Sequence, residues 1–545
     1  MFGAFPRLTD EQIETLARYG QRRPVRPGQV LLAEGEPSTE FFVVLAGKVA
    51  VVEGHGTAEE RIVRVHGPRR FLGEMSVLTR QAAYFSTVVL EPGEVLAVPV
   101  DRLRTLVAED PMLGDVILRA YLIRRTLVIG LGAGFRIVGS RYSEDTRRLR
   151  RFAIRNRLPH RFVDLENDPG AEELLRQFGV GPADTPVVVW RDRVLRNPSI
   201  AELATLLGLR ATAEQRTECD LAVVGAGPGG LAAAVYGASE GLRTVALEAV
   251  APGGQAGTSP RIENYLGFPS GISGAELADR AVLQAEKFGA RIEVAARAVG
   301  LQRRDRDHLL RLEDGDTLSA RTVVVATGAR YRRLPVPRLA DFEDTCVYYA
   351  ATQVEAMLCA SDPVAVVGGG NSAGQATTFL AEHAGPLYLV VRERSLDENM
   401  SRYLADRIER DPRVRVLLHT EVRELVGDRK LEAVVVEDLD TGERRRLAVR
   451  DLFVFVGAEP ATDWLAGSLA RDAGGYLLTG AAARAAGAGD FADLGREPLL
   501  LETSAPGVFA AGDVRSGAVK RVAAAVGDGS MAVRLVHEHL ASVGG

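Results

Sequence analysis

Cysteine is scarce in this chain, with three residues among 545. Cys219, Cys346 and Cys359 stand far apart in the sequence, so no close pair suggests a short redox motif or a metal-ligand cluster. This usage excludes a disulfide-stapled secreted fold and favours a reducing compartment. We therefore expect a cytoplasmic protein with no metal site.

Long apolar runs and excess positive charge are missing too. The most apolar stretch, residues 127–135, is far shorter than the roughly 20 residues that cross a bilayer. The first residues lack the basic and apolar segments of an export signal. A net charge of −5 gives no electrostatic footprint for nucleic acid. We expect neither a membrane nor a nucleic-acid partner.

The length predicts several domains, because 545 residues exceed the roughly 250 to 300 at which a single core stops growing. Changes in sequence pattern predict four domains. We name them the barrel domain (1–130), the middle domain (131–212), the outer domain (213–334 with 459–545) and the inserted domain (335–458).

Residues 26–99 alternate apolar and polar side chains between glycine turns, which predicts antiparallel strands. With Phe71–Met75, this region resembles the cyclic nucleotide-binding family, which implies a β jelly roll. The resemblance makes Gly73 and Glu74 candidate effector contacts, since the family's glutamate bonds the ribose. Tyr84 stands where the family's phosphate-binding arginine is expected, and a hydroxyl cannot replace a charged guanidinium. Cyclic nucleotide binding is therefore doubtful, and a degenerate sensor or dimerisation domain is favoured.

The middle domain reads strand, helix, strand, helix, and then a strand after Pro186. This order resembles the thioredoxin and glutaredoxin fold, a small α/β domain. Residues 140–143, Ser-Arg-Tyr-Ser, occupy the place of the redox motif, and the domain contains no cysteine. Disulfide exchange is thereby excluded here. We expect an adaptor surface or a docking site for a partner.

A dinucleotide fingerprint opens the outer domain. An apolar strand runs into Gly-Ala-Gly-Pro-Gly-Gly at 225–230, followed by an alanine-rich helix. Gly225 makes the tight turn, Gly227 admits the pyrophosphate, and Gly230 lets helix and strand pack closely. The helix N-terminus offers free N–H groups to the anion. Glu248 ends the next strand, where a carboxylate can accept from a ribose hydroxyl.

A second fingerprint, a Gly-x-Gly-x-x-Ala sequence, spans 368–373 after another apolar strand. The strand that follows leads into Arg392, Glu393 and Arg394 rather than ending in an acid. Guanidinium groups can hold a 2′-phosphate that a carboxylate would repel. The pattern favours NADPH over NADH. The alternative is that Arg392 only pairs with Glu393 or with solvent.

Together with further motifs, the two fingerprints resemble the low-molecular-weight thioredoxin reductases. The resemblance implies two doubly wound α/β domains, a homodimer, FAD in the outer domain and a nicotinamide domain inserted within it. Motifs and resemblance assign to FAD the residues Gly225, Gly227, Gly229, Gly230, Glu248, Gly254, Gln255, Asn264, Thr327, Gly328, Gly512, Asp513, Arg521 and Val522. They assign to NADPH the residues Gly368, Gly370, Asn371, Ser372, Ala373, Arg392 and Arg394.

The family's redox cysteines are replaced, with Ala350 and Gln353 at the two sulfur positions. Neither side chain forms a thiolate or a disulfide, so no catalytic residue is assigned. We expect an FAD-dependent NADPH oxidoreductase that passes electrons to an external acceptor such as ferredoxin, flavodoxin or a quinone, with regulation by the barrel domain. The alternatives are a thioredoxin-disulfide reductase and a regulatory flavoprotein without turnover.

Overall fold

The structure is a computed structural model. It describes residues 3–57, 59–74, 81–131, 133–168, 170–177, 179–181, 184–191, 193–212, 218–259, 262, 265–304, 307–343, 345–349, 351, 356, 359, 361–428, 430–487, 491 and 494–543.

The barrel domain contains the expected antiparallel strands, with β6 paired to β1, β2 and β3, and β3 paired to β4 and β5. Its core joins the inner faces of β3 and β6 to the helices that follow. Asp110 accepts hydrogen bonds from two N–H groups of the first turn of α3 and so caps this long helix. The elements are α1 (Asp10–Ala17), β1 (Gln21–Val25), β2 (Val30–Leu32), β3 (Glu40–Glu53), β4 (Arg61–His66), β5 (Phe71–Leu72), β6 (Ser86–Pro99), α2 (Val100–Glu109) and α3 (Pro111–Gly130).

The middle domain has a four-stranded sheet in the order β10-β9-β7-β8. The β7 and β8 strands are parallel, and β9 runs antiparallel to β7 and β10. The Thr185–Pro186 peptide bond before β9 is cis. The elements are β7 (Phe135–Gly139), α4 (Glu144–Arg155), β8 (His160–Asp164), α5 (Ala171–Gln177), β9 (Val187–Trp190), β10 (Arg193–Arg196) and α6 (Ile200–Leu206).

The first part of the outer domain places parallel strands β13, β12, β11 and β16 side by side. An antiparallel extension, β15 and β14, continues the same sheet. The parallel strands are almost wholly buried, because helices cover one face and apolar residues of 464–477 pack against the other. The elements are β11 (Cys219–Val224), α7 (Pro228–Ser239), β12 (Thr244–Glu248), α8 (Gly274–Lys287), β13 (Arg291–Val294), β14 (Ala298–Arg304), β15 (Asp307–Leu312) and β16 (Thr317–Val325).

The inserted domain has its own parallel sheet, in the order β18-β25-β19-β20-β21, beside the antiparallel sheet β22-β23-β24. After β17 (Ala329–Tyr331), which ends the first part of the outer domain, the elements of the inserted domain are α9 (Leu339–Phe342), β18 (Val347–Tyr348), β19 (Val364–Val367), α10 (Asn371–Leu380), β20 (Leu387–Val390), α11 (Arg402–Glu409), β21 (Val414–Leu417), β22 (Thr420–Gly427), β23 (Leu431–Asp438), β24 (Arg444–Leu447) and β25 (Asp451–Val454).

The chain then returns to the outer domain. A short antiparallel ribbon of β17 and β26 joins the two domains, and β27 adds to the outer sheet beside β16. The last elements are β26 (Ala458–Pro460), α12 (Gly480–Ala485), β27 (Val508–Ala510) and α13 (Val522–Val543). Within the described ranges, each helix is too short or too polar to cross a membrane.

Candidate flavin and pyridine-nucleotide sites

The first glycine loop joins β11 to α7. Gly225 has φ +103°, and a β-carbon there would lie 2.4 Å from the carbonyl oxygen of Ala326. A β-carbon at Gly230 would lie 1.8 Å from the carbonyl oxygen of Gly225. Helix and strand therefore touch through their backbones. Gly227 is the N-cap residue of α7 and has no side chain that could accept from the helix. The first N–H groups of the helix are therefore open to a phosphate.

Glu248 supplies a buried carboxylate beside this loop. Its Oε2 accepts from the N–H of Ala226 and its Oε1 from the N–H of Val250, both at 2.8 Å. Burial raises the pKa of this carboxyl group. The peptide of Gly253 donates to the carbonyl of Ala226 at 2.7 Å and so brings the 253–255 turn against the loop. The arrangement suits an adenosine ribose and a pyrophosphate.

Other residues assigned to FAD make hydrogen bonds to distant parts of the chain. Gln255 donates to the carbonyl of Ala329, and Thr327 donates to the carbonyl of Ala461 at 2.8 Å. The amide of Gly512 donates to Asp528 at 3.0 Å. Asp513 is half-buried, and desolvation raises the pKa of its carboxyl group.

The remaining described FAD residues lie at the start of α13 and near the first glycine loop, where a β-carbon at Gly254 would lie 3.0 Å from the Cα of Gly227. Val522 is the first residue of α13 and Arg521 before it is exposed. A β-carbon at Gly229 would lie 3.1 Å from the carbonyl of Ala525 on α13. Gly254 and Gly328 have φ +55° and +66°. Asn264, Ala350 and Gln353 lie outside the described residues.

The second glycine loop repeats this construction between β19 and α10. Gly368 has φ +140°, and a β-carbon there would lie 2.4 Å from the carbonyl of Phe455. Gly370 caps α10 without a side-chain hydrogen bond, and Ala373 is buried against the strand. Asn371 accepts from the N–H of Ser401 at 2.6 Å. Ser372, in the first turn of the helix, is exposed.

The two arginines assigned to the 2′-phosphate have different surroundings. The guanidinium of Arg394 donates to both carboxylate oxygens of Asp440 at 2.9 and 2.5 Å. The side chain of Arg392 is 72% exposed, and its nearest carboxylate is 4.0 Å away on Glu393. Arg392 is therefore the freer of the two guanidinium groups.

This difference predicts unequal effects of two matched substitutions. Arg392→Ala should weaken NADP⁺ binding by about tenfold, because a charge-assisted hydrogen bond contributes about 1.5 to 3 kcal/mol. Arg394→Ala should change it by less than about threefold, since that guanidinium is held by Asp440. Calorimetric titration of both variants with NADP⁺ measures this. Equal losses would show that both side chains hold the phosphate.

In the barrel domain, an arginine already pairs with the carboxylate of Glu74. Glu74 and Arg124 of α3 form an ion pair at 2.6 Å, with side chains 2% and 8% exposed. The guanidinium also lies over the Phe71 ring, 4.6 Å from its centre. Tyr84 stacks on Trp190 of the middle domain at 5.8 Å between ring centres. The carboxylate of Glu74, which was expected to bind a ribose, is therefore paired with an arginine.

Sequence reasoning missed the parts played by Arg124 and Trp190. The signal for Arg124 was available, because two adjacent arginines interrupt the apolar helix α3. A buried arginine needs an anionic partner. Nothing in the sequence pattern showed that Trp190 would reach Tyr84, because the two residues belong to different domains.

Thiol and metal chemistry find little support in the described residues. Cys219, Cys346 and Cys359 are buried, and none of the three takes part in a disulfide. Burial raises the pKa of the Cys219 thiol to about 12. The parts of the chain that the structure describes contain no cluster of three or more histidine, cysteine or acidic residues suited to a metal ion.

Two glycine-loop domains, one inserted in the other, define a flavin- and pyridine-nucleotide-dependent oxidoreductase. Residues 219–529 match the family described as "pyridine nucleotide-disulphide oxidoreductase", and residues 22–110 match "cyclic nucleotide-binding domain". The chain belongs to the pyridine nucleotide-disulphide oxidoreductase family.

Relatives named thioredoxin reductase match the same region. The chain is 31% identical over 326 residues to a thioredoxin reductase of Treponema pallidum, covering 59% of this chain and 98% of that protein. It is equally identical over 327 residues to a "34.2 kDa protein in rubredoxin operon" of Clostridium pasteurianum, covering 60% and 99%. The structure of Lactococcus lactis thioredoxin reductase matches with a TM-score of 0.51 and 26% identity, covering 60% and 100%.

These matches confirm the prediction of a thioredoxin reductase-like, FAD-dependent NADPH oxidoreductase with an N-terminal cyclic nucleotide-binding domain. FAD and NADPH are the cofactors of this family. The residues present fit them, since both helix N-termini are open and Glu248 is placed for a ribose.

Proposed function

We propose that this chain accepts hydride from NADPH on FAD and passes the electrons directly to an external acceptor, without a protein dithiol. FAD, when bound, supplies the conversion of a two-electron donor into one- or two-electron transfers. The observation that carries the proposal is the cysteine inventory: the 545 residues contain no Cys-x-x-Cys. The chain's own residues bind and orient the cofactors, and none of its thiols is poised to relay electrons.

The two cysteines of the inserted domain cannot replace the missing pair. Cys346 packs with Ala365 and Val367 on one face of the parallel sheet. Cys359 packs with Val364 and Val366 on the other face. Since side chains alternate across a strand, the sheet itself separates the two sulfur atoms. We propose that Ala350 and Gln353 leave the flavin without a neighbouring thiol.

A variant with all three cysteines replaced by alanine tests this function. Reduction of the flavin by NADPH and turnover with the best acceptor should stay within about twofold of the wild type, because small buried side chains contribute packing rather than chemistry here. Stopped-flow absorbance measures the reduction. A panel of ferredoxin, flavodoxin, quinone, oxygen and thioredoxin with a dithiol reagent measures the turnover. Loss of turnover in the variant, or efficient thioredoxin reduction by the wild type, would contradict the proposal.

We propose that the acceptor is a small redox protein. One relative is named for its place in a rubredoxin operon. We propose that the middle domain is thioredoxin-like and acts as an adaptor for such a partner. Its strand order and the helix α4 after β7 support this fold. Ser143 at the position of a redox cysteine instead caps α4, accepting from Thr146 at 3.4 Å.

We propose that the barrel domain regulates the flavin site rather than binding a cyclic nucleotide. Arg124 forms an ion pair with Glu74. The guanidinium group of the next residue, Arg125, donates to the carbonyl of Asn156 in the middle domain at 3.4 Å. The amide of Asn156 donates to the carbonyl of Val250 at 3.0 Å. The N–H of Val250 in turn holds Glu248.

These contacts, joined by the peptide chain between Arg124 and Arg125, link Glu74 of the barrel domain to the carboxylate of Glu248, which is placed for the ribose of FAD. Any change that shifts α3 would alter both ends together. The family resemblance also predicts a homodimer, which light scattering of the purified protein would test.

A further inference from the structure

The outer and inserted domains provide an internal comparison for the nucleotide specificity of this enzyme. In the outer domain Val224 pairs with Leu247, so Glu248 is the next residue after the paired position. In the inserted domain Val367 pairs with Val390. The position equivalent to Glu248 is therefore Val391, which is buried and apolar. The usual location of the ribose carboxylate carries no polar group here.

A different residue brings a carboxylate to the same loop. A β-carbon built at Gly369, the second residue of the loop, would lie 2.5 Å from Oε2 of Glu393. Gly369 is the counterpart of Ala226, whose N–H donates to Glu248. Glu393 therefore folds back over the second loop as Glu248 does over the first, from two positions further along the chain.

One backbone and one side-chain hydrogen bond hold Glu393 beside the loop. Its carbonyl accepts from the N–H of His419 at 2.9 Å. Its Oε1 accepts from the amide of Asn399 at 3.2 Å. The side chain is 19% exposed, whereas that of Arg392 beside it is 72% exposed. The carboxylate of Glu393 therefore lies against the loop, whereas the guanidinium group of Arg392 is mostly exposed to solvent.

We propose that Glu393 is a specificity-determining residue that binds the adenosine ribose hydroxyls of NADH and opposes the 2′-phosphate of NADPH. A carboxylate accepts from a 2′-hydroxyl but repels a phosphate. To admit NADPH, Glu393 turns away from Gly369 while Arg392 takes the phosphate. The second site therefore accepts both nucleotides, and Glu393 limits the preference for NADPH that Arg392 provides. This inference rests on the proposed nicotinamide site of the inserted domain.

The test is calorimetric titration of the FAD-loaded protein with NAD⁺ and NADP⁺ separately. Glu393→Gln should weaken NAD⁺ binding and strengthen NADP⁺ binding, each by about tenfold, because one charged contact is lost and one repulsion is removed. Both dissociation constants are measured on one preparation of each variant. Partial unfolding then affects both equally and does not change their ratio.

Glu382→Gln is the matched control. Glu382 lies just beyond the far end of α10 in the same domain, pairs with Arg407 at 3.5 Å and is exposed. Its substitution changes the net charge equally but should leave the ratio unchanged. An equal change in both variants, or no change in Glu393→Gln, would overturn the role of Glu393. Wild-type protein that binds neither nucleotide would overturn the proposed function itself, and this inference with it.

Discussion

Replacing Gly230 with alanine is expected to give a colourless, unstable protein. The added β-carbon would lie 1.8 Å from the carbonyl oxygen of Gly225 and 2.9 Å from its carbonyl carbon. Both are backbone atoms, so α7 would have to move away from β11. We expect a loss of about 4 kcal/mol or more in the free energy of unfolding, as for other severe steric changes in a core. The ratio of flavin to protein absorbance and the denaturant midpoint measure both effects.

Gly527→Ala is the control for this substitution. Gly527 lies in α13, and apart from its own helix backbone no heavy atom lies within 4 Å of its added β-carbon. Alanine there should stabilise the helix by about 0.5 to 1 kcal/mol and leave the flavin content unchanged. A yellow Gly230→Ala protein of normal stability would show that helix and strand are further apart than the structure places them.

The second large effect is expected from Glu74→Gln. The substitution leaves the buried guanidinium of Arg124 without its counter-charge, which should cost about 3 to 5 kcal/mol. Chemical denaturation measures the loss. Glu91→Gln is the matched control, because Glu91 pairs with Lys48 at 2.6 Å with both side chains 52% exposed. Its expected cost is below about 1 kcal/mol.

The same variant tests communication between the barrel and the flavin. If α3 couples Glu74 to Glu248 through Arg125, Asn156 and Val250, Glu74→Gln should also speed the dissociation of FAD. Release of flavin is followed by the rise of its fluorescence. If the variant is clearly destabilised but releases FAD at an unchanged rate, the ion pair contributes only to the stability of the barrel domain.

Local sequence patterns predicted the two dinucleotide folds well, because each fingerprint is short and its geometry is set by glycines. Gly225 and Gly368 adopt the positive φ that their motifs require. Assigning Gln255 and Thr327 to the FAD site required the family resemblance, because their hydrogen-bond partners, Ala329 and Ala461, lie elsewhere in the chain. The pattern also grouped Arg392 with Arg394, although Asp440 holds only the latter.

Contacts between domains were beyond the reach of sequence patterns. The Tyr84–Trp190 stack and the Asn156–Val250 hydrogen bond join segments that are 94 or more residues apart. Periodicity and motifs describe neighbours along the chain, whereas such pairs depend on how finished domains pack.

By itself the sequence determined the presence of two glycine loops, the chemistry that they serve, and the lack of any Cys-x-x-Cys, because these depend on residue identity and short spacing. Tertiary structure alone decided that Arg124 pairs with Glu74, that Cys346 and Cys359 lie on opposite faces of a sheet, and that Glu393 reaches Gly369. The physical reason is that a side chain's charge and reactivity depend on burial and on partners brought from distant segments, which only the packed fold supplies.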